Sequence, residues 1–308
     1  MTIGDLNEAV NSGEIDELIR VCETRQVKVL SRIADDICAK GGVRLILLCG
    51  GSSAGKTTTA KRLCTQLRVN DAFALHMSTD DYFVGDARNP RHPDGTFDYE
   101  TVEAVDSERL AKDVNALLAG EKIHPRRFDF VKHDGYDAAD EISLPEGGYI
   151  VLEGIHALNP VLTDGVPEEC KYRIFVEPKT QITVFALTKL ASQDARLLRR
   201  LVRDNQFRKL SPFDTFNLWP QVLEGEEKWI NPYRPRADVE FDSGLLYELA
   251  VLKPYAAGLV EIVRRRRPEE KKAYLFSELF EVIRPASPTA VPGDSILRET
   301  IGGSQLEY

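Results

Sequence analysis

The stretch VRLILLC followed by GGSSAGKTTTAKRL, residues 43 to 63, constrains this chain more than any other. An apolar run that stops in glycines and resumes with helical character reads as strand, tight loop and helix. Within it Gly50, Gly55, Lys56 and Thr57 satisfy G-x-x-x-x-G-K-[ST], the pattern of a phosphate-binding loop. Glycines let successive backbone N–H groups point at phosphate oxygens, and the helix that follows adds its positive end. The candidate donor contacts are Gly51, Ser52, Ser53, Ala54, Gly55, Lys56, Thr57 and Thr58. Lys56 is expected to reach the β- and γ-phosphates, and Thr57 to ligate Mg²⁺.

The rest of the chain supplies the sheet such a loop needs. Further apolar runs, FALHMS (73–78), YIVLEG (149–154) and YRIFVE (172–177), alternate with helical stretches, which predicts a parallel sheet covered by helices on both faces. Residues 1–42 form a helical extension closed by Gly41 and Gly42. Residues 43–308 are expected to form one domain, with a lid around 192–210 and C-terminal helices and tail over 245–308. HPRRFDFVKHDGYD (124–137) is too polar for a core strand and reads as a hairpin or loop above the sheet. Helices are expected over LLYELAVLKPYAAGLVEIV and KKAYLFSELFEVI, and the Pro/Gly/Ser-rich end as an irregular docked tail.

A formal net charge of −9 argues against a general nucleic-acid binder, so a bound polyanion must meet a local basic site. The five cysteines are scattered without a CxxC pair and read as reduced thiols of a cytoplasmic protein. The first residues show no signal-peptide pattern, and no apolar run is long enough to span a membrane.

Two carboxylates follow apolar runs, where open α/β sheets place their ligands. Asp80, in STDDYF, suits the orientation and deprotonation of an acceptor hydroxyl, and Glu153, ending YIVLEG, suits Mg²⁺. Arg196, Arg199, Arg200 and Arg203 lie at i, i+3, i+4 and i+7, one face of a helix whose other face is Leu197, Leu198, Leu201 and Val202. Such a stripe suits a lid over a triphosphate. The alternative is a solvated helix whose arginines pair with acids such as Asp194 and Asp204.

Together these segments resemble the uridine kinase and phosphoribulokinase family of P-loop kinases, closest to its bacterial nucleoside-kinase-like branch, from about Arg44 onwards. GSSAGKTT matches its loop, and VLEGIHALN the strand ending in its metal-associated glutamate, here Glu153. STDDYF is similar to the segment whose first aspartate is catalytic and near the metal, here Asp80, with Tyr82 beside the substrate. GTFDYETVEAVD resembles the acceptor-contacting segment, which implies substrate roles for Phe97 and Asp98. RFDFVKH is similar to a Tyr-Asp-Phe-x-x-His acceptor stretch, which brings in Phe128 and His133. DARLLRRLVRD resembles the lid helix, with Arg196, Arg199 and Arg203 facing phosphates and Arg199 counted as catalytic with Lys56 and Asp80. The chain departs from the pattern at Phe128, where the family has Tyr, and at Asp134-Gly135, where it has Ser-Arg. Longer members of the branch resemble a fusion to an RNA-synthetase-like module, in place of which residues 1–42 form a short helical lead-in.

The resemblance implies an α/β P-loop NTPase fold of the nucleoside and nucleotide kinase type. It implies a kinase that moves the γ-phosphoryl group of ATP or GTP, with Mg²⁺, to a small acceptor such as the 5′-hydroxyl of a nucleoside like uridine or cytidine. Sugar phosphates, pantothenate and polyols are alternative acceptors. A nucleotide switch without a small acceptor is the alternative of another class. Homo-oligomerisation is an expectation of the resemblance alone.

Overall fold

A computed structural model describes residues 1–130, 132–179, 182–185 and 188–307. Val131, inside the expected hairpin, and Tyr308, at the end of the expected tail, lie outside the described residues. In chain order the elements begin with α1 (Ile3–Ser12), α2 (Ile15–Lys40), β1 (Leu45–Cys49), α3 (Lys56–Val69) and β2 (Ala74–Ser78). They continue with α4 (Ser107–Leu118), β3 (Arg126–Asp129), β4 (Asp134–Asp137), β5 (Tyr149–Glu153) and β6 (Lys171–Glu177). Then come the short β7 (Thr183–Phe185) and β8 (Thr188–Lys189), α5 (Ser192–Phe207), α6 (Pro212–Trp229) and β9 (Val239–Asp242). The chain closes with α7 (Glu248–Arg266), α8 (Lys271–Val282) and the single turn α9 (Arg298–Ile301).

Five strands form one parallel sheet in the order β2-β5-β1-β6-β9. Every residue of β1 is buried because both faces are covered. Alternation sends Ile46 and Leu48 to one side, where Leu30, Ile33 and Ile37 of α2 and Leu63 and Leu67 of α3 pack. Leu45, Leu47 and Cys49 face the other side, against Leu110, Val114 and Leu117 of α4. A third apolar cluster joins α1 and the start of α2 to α5, α6, α7 and α8 through residues such as Leu6, Ile19, Leu198, Phe216, Val251 and Phe276. Residues 1–42 therefore pack into the same cores as the sheet region.

The extension divides into two helices at Gly13, whose φ of 80° caps α1. Its first helix is opened by a capping box between Thr2 and Asp5. Two elements carry no clear sequence signal. β9 is an edge strand with one fully buried residue, Phe241, so it has no apolar run. α6 contains Pro220, which ordinarily breaks a helix. Here a Ser211–Asp214 capping box starts it, and buried Phe216, Trp219 and Val222 hold it against the core. The 124–137 stretch is a β3–β4 hairpin, and the tail docks through buried Ile296, Leu297 and Ile301.

Candidate active site

Sheet register brings the functional strand ends together. Glu153 is the partner of Leu48 in β1 and of Ser78 in β2, so the end of β5 lies between the phosphate loop and the turn that carries Asp80. The loop itself fits only glycine at key points. Gly55 has φ 87°, and a Cβ on Gly50 would run into the carbonyl of Val176. Lys56 heads α3, and its Nζ donates to the Gly51 carbonyl at 3.1 Å.

Glu153 is 4% exposed, and its Oε1 accepts hydrogen bonds from the Thr57 and Ser78 hydroxyls, each at 3.0 Å. Burial raises its carboxyl to about 7, and the charge of Asp80 adds to the rise against Lys56 and the two hydroxyls. Asp80 sits in a 3₁₀ turn (Thr79–Tyr82) whose start is capped by the Ser78 hydroxyl, which accepts from the Asp80 N–H at 3.3 Å. One hydroxyl and two carboxylates are hard oxygen donors of the kind Mg²⁺ takes, with its remaining positions left to water and phosphate. Among the described residues no group of three or more His, Cys, Asp or Glu is placed to hold an ion.

These groups line one cleft of about 340 Å³ together with Ser52, Ser53 and Gly55. Its opposite wall is aromatic. Phe83 meets Phe128 edge-on at 5.6 Å, Phe97 and Tyr99 lie 5.7 Å apart, and Phe130 meets Phe128 at 5.1 Å. His133 belongs to this wall, its Nδ1 3.4 Å from both the Tyr99 hydroxyl and Asp86 Oδ1. Lys56, Thr57, Asp80, Glu153, Arg203, Phe97, Phe128 and His133 thus share one space.

Other expected site residues are placed elsewhere. Arg199 is 1% exposed and paired with Glu248, with a further hydrogen bond to the Ser243 carbonyl at 2.9 Å. Its position on α5 turns it into the helical core, so it is a buried structural cation here and not a phosphate contact. Arg196 pairs with Glu226, Nη2 to Oε2 at 2.7 Å, and donates to the Ser52 carbonyl at 3.2 Å, so it braces the loop from behind. Tyr82 is buried, and its hydroxyl donates to Asp113 at 3.0 Å. Burial and that carboxylate push its phenol far up, which makes it a packing residue. Asp98 caps its own turn by accepting the Glu100 N–H at 3.0 Å and is not part of the cleft lining. The Ala54 side chain is enclosed in the core, and the Thr58 hydroxyl turns to Glu299 at 3.2 Å, so neither side chain faces the cleft.

Sequence reasoning named Arg203, gave Arg200 a place in the stripe without a phosphate contact, and passed over Arg208 and Glu100, all of which line the cleft. Arg200, Arg203 and Arg208 surround the fully buried Asp204, at 3.1, 2.8 and 3.6 Å. One carboxylate thereby fixes three guanidiniums along the cleft, and Arg200 also donates to the Ser52 hydroxyl at 2.8 Å. Arg200 stood in the sequence stripe beside Arg199, and only the helix phase against the sheet separates their roles. Arg208 lies past the end of α5 and outside the stripe. Glu100 lines the cleft with its carboxyl raised to about 7, chiefly by burial.

A phosphate loop at the head of a parallel sheet, facing an acidic turn and an arginine helix, defines a P-loop phosphotransferase. The model of the phosphoribulokinase/uridine kinase family matches residues 45–249, and the chain belongs to that family. It is 27% identical over 208 residues to a uridine kinase of Deinococcus deserti, covering 67% of this chain and 91% of that one. It is 27% identical over 198 residues to a uridine kinase of Halobacterium salinarum, covering 64% and 79%. A Bacillus stearothermophilus structure described as a possible uridine kinase is similar at TM-score 0.48 and 18% identity, covering 71% of this chain and all of that one (100%). The protein is therefore a kinase whose substrates are a nucleotide and a small-molecule acceptor. No described helix is long and apolar enough to cross a membrane.

Proposed function

We propose that the protein transfers the γ-phosphoryl group of ATP or GTP to the 5′-hydroxyl of a nucleoside. One observation carries this reading: Lys56, Thr57, Glu153 and Asp80 face an aromatic wall of Phe97 and Phe128 across a single cleft. Loop amides and Lys56 hold the donor phosphates. Thr57, Asp80 and Glu153 would hold Mg²⁺, which would neutralise part of the donor's phosphate charge. Arg200, Arg203 and Arg208, preset by Asp204, meet the charge that spreads over the transferring group. A base stacks on Phe97 and Phe128, and His133, oriented by Tyr99 and Asp86, meets a polar edge of the acceptor.

Asp80 takes the hydroxyl proton as the oxygen attacks phosphorus, and the donor diphosphate leaves on the Lys56 side. Since this chemistry is mostly positioning and charge stabilisation, removal of the Asp80 charge acts on transfer and spares donor binding. Asp80→Asn is expected to lower kcat by about 10²–10⁴-fold with donor Kd within about twofold of wild type. Near-normal turnover would remove Asp80 from the mechanism. The phenyl of Phe128 and the Asp134-Gly135 pair, in place of a tyrosine and Ser-Arg, leave fewer polar partners on the base wall, which favours a broad choice among pyrimidine nucleosides.

A further inference from the structure

The C-terminal tail is anchored in the core and reaches the phosphate loop. Ser295 is fully buried, and its hydroxyl donates at 2.6 Å to an oxygen of Glu23 in α2 that also accepts from the Tyr247 hydroxyl at 2.5 Å. The other oxygen of Glu23 meets Arg62 of α3 at 3.5 Å. This buried carboxylate thereby ties the tail to the N-terminal extension and to the helix that leaves the loop. Ile296, the next residue, lies against Gly55, where a Cβ would run into the isoleucine side chain. One turn further on, Glu299 lines the active cleft. Its Oε2 accepts from the Thr58 hydroxyl at 3.2 Å, the one hydrogen bond its carboxylate makes among the described residues. Glu23, Ser295, Ile296 and Glu299 all lie outside residues 45–249, which match the family model.

We propose that Glu299 binds the sugar of the phosphoryl donor, so that the tail is part of the donor site. Thr57 and Thr58 are successive residues in the first turn of α3, about 100° apart around its axis. The Thr57 hydroxyl faces Glu153, on the side where the γ-phosphoryl group meets its acceptor, and the Thr58 hydroxyl faces the tail. In-line transfer puts the leaving diphosphate on the far side of phosphorus from the acceptor hydroxyl, and the loop amides cradle the phosphates of that diphosphate. The sugar is the next group beyond them, and the base lies farther out. A carboxylate accepts hydrogen bonds and repels phosphate, so of the parts of the donor it fits the neutral, hydroxyl-bearing sugar. The 2′- and 3′-hydroxyls stand side by side, and both can donate to it. The inference rests on the reading of the loop as the seat of a nucleoside triphosphate and is independent of which acceptor is phosphorylated.

The test is isothermal titration calorimetry of the full chain with MgATP and with the magnesium complex of 2′,3′-dideoxyATP, no acceptor being present. Wild type is expected to bind the dideoxy nucleotide about 10–100-fold more weakly, through the loss of hydrogen bonds to a charged group. In Glu299→Ala that gap is expected to close to within about threefold, because the hydroxyls no longer have their partner. Glu299→Gln keeps an acceptor oxygen without the charge and is expected to show a gap between the two. Should Glu299→Ala not fold, a reduced gap in Glu299→Gln supports the proposal and an unchanged one contradicts it. The same gap in wild type and Glu299→Ala would overturn it, as would equal binding of the two nucleotides by wild type. Tighter ATP binding in Glu299→Ala would also overturn it, by making the carboxylate a competitor of the donor phosphates. A wild-type chain that binds neither nucleotide would bring down the donor reading of the loop together with this inference.

Discussion

Removal of Arg199 tests the division between cations that act on phosphate and cations that hold the fold. In Arg199→Met the Glu248 carboxylate, 2% exposed, loses the one ion-pair partner it has among the described residues and stays in the core. Loss of one member of a buried pair costs about 3–5 kcal/mol. With an unfolding entropy of ~2.1 cal/mol/K per residue over 308 residues, that corresponds to a fall in Tm of about 5–8 °C. The deficit should grow with pH. Burial already holds the Glu248 carboxyl above its ordinary 4.5, and without Arg199 the side chain must take up a proton to remain inside. A group with its folded pKa raised in this way contributes stability that is lost as pH climbs above the unfolded value. Replacing both partners, Arg199→Met with Glu248→Leu, should recover most of the loss, since the uncompensated charge is gone. The assay is thermal unfolding at pH 5.5 and 8, with turnover and donor affinity on the same samples. A single variant with unchanged Tm and a large rise in donor KM would refute this reasoning and return Arg199 to the phosphates.

Glu226→Gln should tighten donor binding about fivefold, because the Glu226 carboxylate now accepts the Ser52 N–H of the phosphate loop at 3.3 Å and carries the same sign of charge as the phosphate that replaces it. Titration with a fluorescent MgATP analogue reads this, and weaker binding would count against the competition. His156, 1% exposed, has its ring pKa lowered to about 4 from 6.5 by burial. The unfolded chain therefore takes up a proton that the folded chain refuses between those values, and stability falls as pH drops from 6.5 towards 4 by at most about 1.4 kcal/mol per pH unit. Urea unfolding at pH 7, 5.5 and 4.5 should show a shallower acid loss in His156→Leu than in wild type, and equal slopes would remove His156 from the acid response.

The sheet and the loop were legible because both depend on local pattern. Buried parallel strands must be continuous apolar runs, and a phosphate loop must place Gly55, Lys56 and Thr57 in sequence. β9 escaped because an edge strand with one buried face needs no such run. The arginine stripe was visible, but spacing alone places Arg196, Arg199, Arg200 and Arg203 on the same face. Which of them reach the cleft depends on how α5 is rotated against the sheet and on the acids they meet, Asp204 on the same helix and Glu226 and Glu248 farther along the chain. Aromatic Phe97 and Phe128 came from the resemblance, whereas Tyr99, Glu100 and Arg208 became apparent only when the β3–β4 hairpin and the end of α5 closed on the loop. Asp98 and Tyr82 show the reverse: adjacent motif positions whose side chains are consumed by a turn and by Asp113.

The central claim is transfer to a nucleoside, and the direct measurement is ADP release from MgATP with and without each of a panel of nucleosides, sugar phosphates, pantothenate and polyols. Lys56→Ala serves as the blank, and products are identified by mass spectrometry. A pyrimidine nucleoside that accelerates release many-fold and appears as its 5′-monophosphate is the predicted result. Stimulation confined to a sugar phosphate, pantothenate or a polyol, or slow hydrolysis that no acceptor accelerates, would contradict it.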